Sequence, residues 1–321
     1  MIDKMTIASS ADDAARLAER NRALTDEILR LKRARNAIIL AHNYQRAEVQ
    51  DLADFVGDSL ELARKAAEVE TADIIAFCGV HFMAETAKIL NPRRMVLLPE
   101  RTAGCPLADT IDVFALREWK RKYPEAAVVS YVNSTAAIKA ESDACCTSAN
   151  AVKVVESLPH SEILFVPDKN LGHFVSRHTK KRMILYPGAC TTHVKLKASD
   201  VAEARKLYPG APVVVHPECD PEVVDLADAA LSTAKMLKFV KDNPAATFLI
   251  GTEAGILHRM RAESPGKAFY AISRALLCPN MKQTHLKSVL IALQESRYEI
   301  RLDEGVRLAA KRALDRMLEL A

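Results

Sequence analysis

The sequence predicts an α/β protein of three layered domains with parallel sheets, related by pseudo-threefold symmetry around a shared central site. Three observations predict it. From Ala37 onward, short Ile-, Val- and Leu-rich runs alternate with helical patterns, as in parallel strands covered on both faces. Polar triplets close three of those runs, His42-Asn43-Tyr44, Tyr131-Val132-Asn133 and His216-Pro217-Glu218, at spacings of 89 and 85 residues. Cys105, Cys190 and Cys278 keep nearly the same ruler, at 85 and 88. Other marks fall in register too: Ser59, Ser148 and Thr233 at 89 and 85, and the runs 94–99 and 182–187 at 88. A chain that repeats itself three times can place three equivalent positions around one axis.

The elements follow in order. Residues 11–34 read as an amphipathic helix with Leu17, Leu24, Ile28 and Leu31 on one face. Strands are expected at 37–42, 73–78, 95–99, 127–132, 162–167, 183–187, 212–216, 247–251 and 268–272. Helices are expected between them at 59–70, 81–90, 112–122, 149–157, 199–207, 233–242, 254–262 and 282–296, with a final amphipathic helix over 301–321. The repeat divides the chain into an N-terminal helix plus first α/β unit (1–123), a second unit (124–208) and a third (209–279). Helices within 280–321 are expected to pack on the first unit. No Ser/Gly-rich linker separates the units, so they should pack tightly.

Composition excludes several functions. Aromatics make up 5% of the 321 residues, too few for a base-stacking platform, and the net charge of +4 is dispersed. Arg93-Arg94, Arg121-Lys122 and Lys180-Lys181-Arg182 read as solvated loop ends, not one basic face. No nucleic-acid partner is expected. No apolar stretch approaches a membrane span and no leader is visible, which points to the cytoplasm and away from a membrane. Seven cysteines are an odd number and too few for a disulfide scaffold.

In parallel α/β units, ligands bind beyond the carboxyl ends of the strands. The three polar triplets lie at such ends. A lone cysteine in such a chain is most often a small core residue, but Cys105, Cys190 and Cys278 each follow a predicted strand in a Gly- or Pro-containing loop. Cys78, Cys219 and the adjacent Cys145-Cys146 do not repeat and read as structural. Three thiolates admit two metal readings. A closed zinc site would need a fourth ligand, such as His193. A 4Fe–4S cluster held by three cysteines leaves one iron open, a Lewis acid suited to dehydration. Ser59, Ser148 and Thr233 read as helix N-caps that could also bind anions. His216 and Glu218 project to one side of an extended segment and could serve acid–base catalysis. His81 and Glu85 lie four apart on a helix, but no third ligand is near.

The motifs His42-Asn43-Tyr44-Gln45, Gly57-Asp58-Ser59, Tyr131-Val132-Asn133-Ser134-Thr135-Ala136, Pro167-Asp168-Lys169-Asn170-Leu171-Gly172, His216-Pro217-Glu218-Cys219 and Cys278-Pro279-Asn280-Met281-Lys282 together resemble the quinolinate synthase family. The likeness covers about residues 37–296. It implies three α/β domains around a 4Fe–4S cluster with Cys105, Cys190 and Cys278 as ligands. It implies condensation of iminoaspartate with dihydroxyacetone phosphate to quinolinate, with release of phosphate and water, in NAD biosynthesis. His42, Ser59, Tyr131, Val132, Asn133, Ser148, His216, Pro217, Glu218 and Thr233 would bind substrate, with Tyr44, Glu218 and His216 catalytic. Coupling to an L-aspartate oxidase or aspartate dehydrogenase is a further implication. The family's Cys-x-x-Cys-x-x-Cys run is reduced here to Cys278. Read from the residues alone, a zinc-dependent hydrolase or lyase and a non-enzymatic ligand- or RNA-binding protein stay open beside it.

Overall fold

The computed structural model describes residues 11–320; residues 1–10 of the predicted first unit, and the side chain of Leu17, lie outside the described residues. Helix α1 (Ala11–Ala34) leads into a first sheet of β1 (Ala37–His42), β2 (Phe55–Gly57), β3 (Ile74–Cys78) and β4 (Met95–Leu97). Around it lie α2 (Ala47–Leu52), α3 (Ser59–Ala67), α4 (His81–Leu90) and α5 (Val113–Lys122). The second sheet holds β5 (Ala127–Tyr131), β6 (Ala144–Cys146), β7 (Glu162–Val166) and β8 (Arg182–Leu185), with α6 (Ala136–Ala140), α7 (Ala151–Ser157), α8 (Lys169–Ser176) and α9 (Ala198–Leu207). The third holds β9 (Val213–Val215), β10 (Ala229–Ala230), β11 (Thr247–Gly251) and β12 (Ala268–Ala271), with α10 (Pro221–Asp225), α11 (Thr233–Asp242) and α12 (Ile256–Glu263). Two further helices, α13 (Leu286–Glu295) and α14 (Glu304–Glu319), end the chain.

Every strand pair is parallel, and the three sheets share one strand order: β2-β1-β3-β4, β6-β5-β7-β8 and β10-β9-β11-β12. The central strands are the apolar runs. All five residues of β3 and of β5 are buried, as expected of strands with helices on both faces.

The sequence missed one edge strand per sheet. Strands β2, β6 and β10 are two or three residues long, too short to show a period. A repeated device fixes each of them. The carboxylates of Asp54, Asp143 and Asp228 accept the amides of Ile39, Val128 and Val213 at 2.8, 2.7 and 2.7 Å. In return, the aspartate amides donate to the carbonyls of those same three residues, each at 2.9 Å. Just beyond, the amides of Asn43 and Val132 extend the pairing to the carbonyls of Gly57 and Cys146. The third unit has Pro217 at that position, which has no amide to donate, and its edge strand is the shortest. The short helices α2, α6, α8 and α10 are likewise absent from the elements that the sequence predicts.

The units join head to tail. The segment that follows the third strand of each unit, its helix included, meets the segment just beyond the first strand of the next. Glu85 Oε2 accepts the amide of Ala136 at 2.9 Å. Asn170 Nδ2 donates to the Glu218 carbonyl at 3.1 Å and to Asp220 Oδ1 at 3.2 Å. Gln50 Nε2 donates to the Gly255 carbonyl at 3.0 Å, and Arg259 Nη1 to Asn43 Oδ1 at 2.9 Å, which closes the ring from third unit to first. Helix α13 packs on α1 and β3. Helix α14 was expected on the first unit, but it packs chiefly on α6 and β6 of the second and reaches α4 of the first.

Candidate functional site

Strand direction and head-to-tail closure aim the three polar strand ends at one central cavity of about 780 Å³, counting its mouth. Its wall gathers His42, Tyr44, Tyr131, Asn133, His216 and Glu218 from the strand ends, Ser59, Ser148 and Thr233 from the segments after the edge strands, and Cys105, Cys190 and Cys278. Val132 and Pro217 do not line it. Side chains alternate along an extended segment, so residues 131 and 133 face the cavity while Val132 turns into the core and lines a smaller neighbouring void.

Ser59, Ser148 and Thr233 are not the helix caps that the sequence suggested. Asp58 caps α3 with a capping box to Glu61, and Ser232 caps α11. Ser148 lies ahead of α7, which starts after Asn150. The three hydroxyls are thereby released from capping and stand on the cavity wall.

Each cysteine precedes a single 3-10 turn: Ala108–Thr110, His193–Lys195 and Met281–Gln283. In each loop the cysteine carbonyl accepts the amide four residues on, at 3.1, 3.1 and 3.3 Å. One backbone fold therefore delivers all three cysteines, each half-buried as a residue. Gly188 lets the second loop enter, since a Cβ there would lie 2.5 Å from both the Pro167 carbonyl oxygen and Thr110 Oγ1.

Cys105 feels the charge of Cys278, and Cys190 that of Cys105. Yet among the described residues the one group of donors close enough to share a single ion is Cys190, His193 and Glu218, within 4.8 Å of one another. Cys105, Cys190 and Cys278 all line the cavity without forming such a group, a spread that a multi-iron cluster could span. Burial pushes the Cys105 thiol up to about 12 and that of Cys190 well above its ordinary value, so binding a cation must release protons.

Electrostatics assign the remaining groups. Burial drives His42 and His216 down to about 3, so both rings are neutral. Their Nδ1 atoms accept the amides of Tyr44 and Glu218, at 3.1 and 3.3 Å. That places the proton on Nε2, and His216 Nε2 donates to Ser148 Oγ at 3.1 Å. Burial works against the Glu218 carboxylate, but His193, His216 and Tyr131 outweigh it and hold the group at about 2. Burial raises Tyr44 and Tyr131 well above 10, and both keep their protons at neutral pH.

Sequence reasoning missed the residues that connect these groups. The sequence offers His193 only as a possible zinc ligand and Lys282 only as the last residue of a family motif, and it does not point to Thr252 or Glu253. Glu218 Oε2 lies 2.6 Å from His193 Nδ1, His193 Nε2 lies 2.8 Å from Thr252 Oγ1, and Thr252 Oγ1 bonds the Tyr44 hydroxyl. An ionised Glu218 only accepts, so His193 carries its proton on Nδ1. Its Nε2 then accepts from Thr252, and Thr252 accepts from Tyr44. Glu253 is fully buried and accepts the Cys278 amide at 3.1 Å and Lys282 Nζ at 3.0 Å, while Lys282 also donates to the Tyr44 carbonyl. The repeat register held one clue: Thr252-Glu253 follow β11 as Pro167-Asp168 follow β7.

Fold and cavity define a pseudo-threefold α/β protein with a three-cysteine acid–base site at its axis. More particularly, the chain belongs to the family described as "Quinolinate synthetase A protein", whose pattern matches residues 26–319. Quinolinate synthase of Thermodesulfovibrio yellowstonii is 56% identical over 296 residues, 92% of this chain and 97% of that one. Quinolinate synthase of Geobacter sp. strain M21 is 54% identical over 297 residues, again 92% and 97%. Quinolinate synthase 2 of Methanosarcina acetivorans is 52% identical over 301 residues, 94% and 97%. Among the described residues no helix is long and apolar enough to cross a membrane.

Proposed function

We propose that this chain is a quinolinate synthase of de novo NAD biosynthesis that condenses iminoaspartate with dihydroxyacetone phosphate and releases phosphate and water. An L-aspartate oxidase or aspartate dehydrogenase would supply the iminoaspartate. The observation that carries the reading is the convergence of three identically folded cysteine loops on a cavity that also holds a hydrogen-bonded acid–base chain. Cys105, Cys190 and Cys278 would hold a 4Fe–4S cluster. When bound, it would supply an open iron, a Lewis acid toward a substrate hydroxyl, carbonyl or carboxylate.

The chain's own residues do the rest. Ser59, Ser148 and Thr233 offer hydroxyls, and the amino ends of α3 and α11 a favourable dipole, to the phosphate and carboxylates of the substrates. His42 and His216 are neutral donors through Nε2. Val80, Phe82, Met83 and Leu107 form an apolar wall that limits water. Tyr44 hands its proton through Thr252 Oγ1 to His193 Nε2 and takes a proton from the substrate in exchange. The imidazolium so formed sits against the Glu218 carboxylate. Reversing the relay delivers a proton from Tyr44 to a departing hydroxyl. Anaerobic reconstitution tests the reading: quinolinate should form from the two substrates only in samples that hold iron and sulfide. Full turnover in iron-free protein would overturn it.

A further inference from the structure

The donor set around His193 has a use that cluster chemistry does not require. We propose that Cys190 Sγ, His193 Nδ1 and a Glu218 carboxylate oxygen form a single-ion site for a divalent transition metal, Zn²⁺ above all, in the cluster-free chain, and that an ion there blocks cluster assembly. The three ligand atoms already lie within 4.8 Å of one another. His193 Nδ1 is 3.2 Å from Cys190 Sγ and 2.6 Å from Glu218 Oε2. Donors around a tetrahedral zinc ion, each about 2.0–2.3 Å from the metal, stand roughly 3.5 Å apart. Cys190 and His193 are near that separation, and Glu218 needs to withdraw by about 1 Å.

The set is built, not accidental. His193 and Glu218 are fully buried, and the 3-10 turn after Cys190 fixes the cysteine-to-histidine spacing. The outer partners that orient metal ligands are present. Thr252 Oγ1 holds His193 Nε2 at 2.8 Å, and Asn133 Nδ2 reaches Glu218 Oε1 at 3.4 Å. Thiolate, imidazole and carboxylate together match zinc among the common cellular cations. Cys105 and Cys278 lie outside this group. An ion held there takes one of the three cluster sulfurs. It also takes the Nδ1 position of His193, so the ring must carry its proton on Nε2 and no longer accept from Thr252.

The experiment uses the full chain, stripped of iron anaerobically, with Co²⁺ as the spectroscopic stand-in for Zn²⁺. One equivalent of cobalt should give thiolate-to-cobalt absorption with the intense visible bands of a four-coordinate site. Glu218→Gln and His193→Ala, both checked for folding by circular dichroism, should weaken binding by about tenfold or more, while Cys105→Ser and Cys278→Ser change it by less than about twofold. Loss of the bands in Cys105→Ser or Cys278→Ser with retention in His193→Ala would overturn the site, and so would the absence of any thiolate–cobalt band. In the second arm, Zn²⁺ added before reconstitution should cut iron uptake by wild type by about tenfold and leave that of His193→Ala unchanged. Equal iron uptake with and without zinc would overturn the block. Cobalt binding in a chain that takes up no iron at all would instead refute the cluster reading and leave the ion site standing.

Discussion

Glu218 is an acceptor only, and that property orients His193, Thr252 and Tyr44 in turn. Thr252→Val should therefore resemble Tyr44→Phe and Glu218→Gln. Each should keep its iron and lose about 10²-fold or more in turnover, and Thr252→Ser should restore most of it. Single-turnover rates at matched iron content test this, and a near-normal Thr252→Val would remove the hydroxyl from the relay. Cys105→Ser, Cys190→Ser and Cys278→Ser should each lose iron and activity. Cys78→Ser and Cys219→Ser should keep both, since those thiols are packed in the core; iron per chain after reconstitution decides. Acid should unfold the protein early. His42 and His216 titrate near 3 in the fold against about 6.5 unfolded, so the unfolded chain takes protons that the folded chain refuses as pH falls below about 6.5. Glu218, held at about 2, adds to the loss in the same direction once pH drops below about 4.5. Melting temperature should fall through this window and fall less steeply in His216→Asn. The cysteines and strand-end residues were legible because they repeat. Thr252, Glu253 and Lys282 were not, because the first unit carries Gly79, Val80 and nothing like the lysine at the matching places.

At the scale of elements, the central strands were legible because each is an unbroken apolar run, while the edge strands and the five- to eight-residue helices carry too few residues to show a period. Their positions were nevertheless implicit: Phe55, Ala144 and Ala229 stand at the same spacings as the polar triplets. What the residue pattern could not convey is the aspartate that fastens each edge strand. Asp143→Ala should cost about 1 kcal/mol, because an exposed carboxylate loses one charged hydrogen bond to the Val128 amide. Asp143→Asn should cost less, since its amide oxygen still accepts. Urea unfolding of the two variants measures the difference, and indistinguishable midpoints would make the aspartate dispensable.

For the molecule as a whole, the seams matter more than the sheets. The seam between third and first units runs through Glu253, Lys282 and the Tyr44 carbonyl, with Gly255 packed against them. Lys282→Met would strand a buried carboxylate and should cost about 3 kcal/mol or more, whereas the double variant with Glu253→Gln should recover much of that. A denaturant-based double-mutant cycle reads the coupling, and additive losses would show that the pair does not fasten the seam. The head-to-tail closure was only partly readable from the repeat: the ruler implied three equivalent units, but the polar contacts at each junction differ in kind.

That difference has a consequence for recognition. Tyr44, Asn133 and Glu218 occupy one and the same corner of the three units: an acid, an amide and an anion. A chamber with three alike corners would accept a ligand in three interchangeable poses. Here the backbone frame is nearly triplicate while its corners are chemically unlike, so a lopsided molecule finds one orientation in which every corner suits it. The single orientation of the bound molecule is thus written into the departures from symmetry, and the symmetry itself supplies only the room.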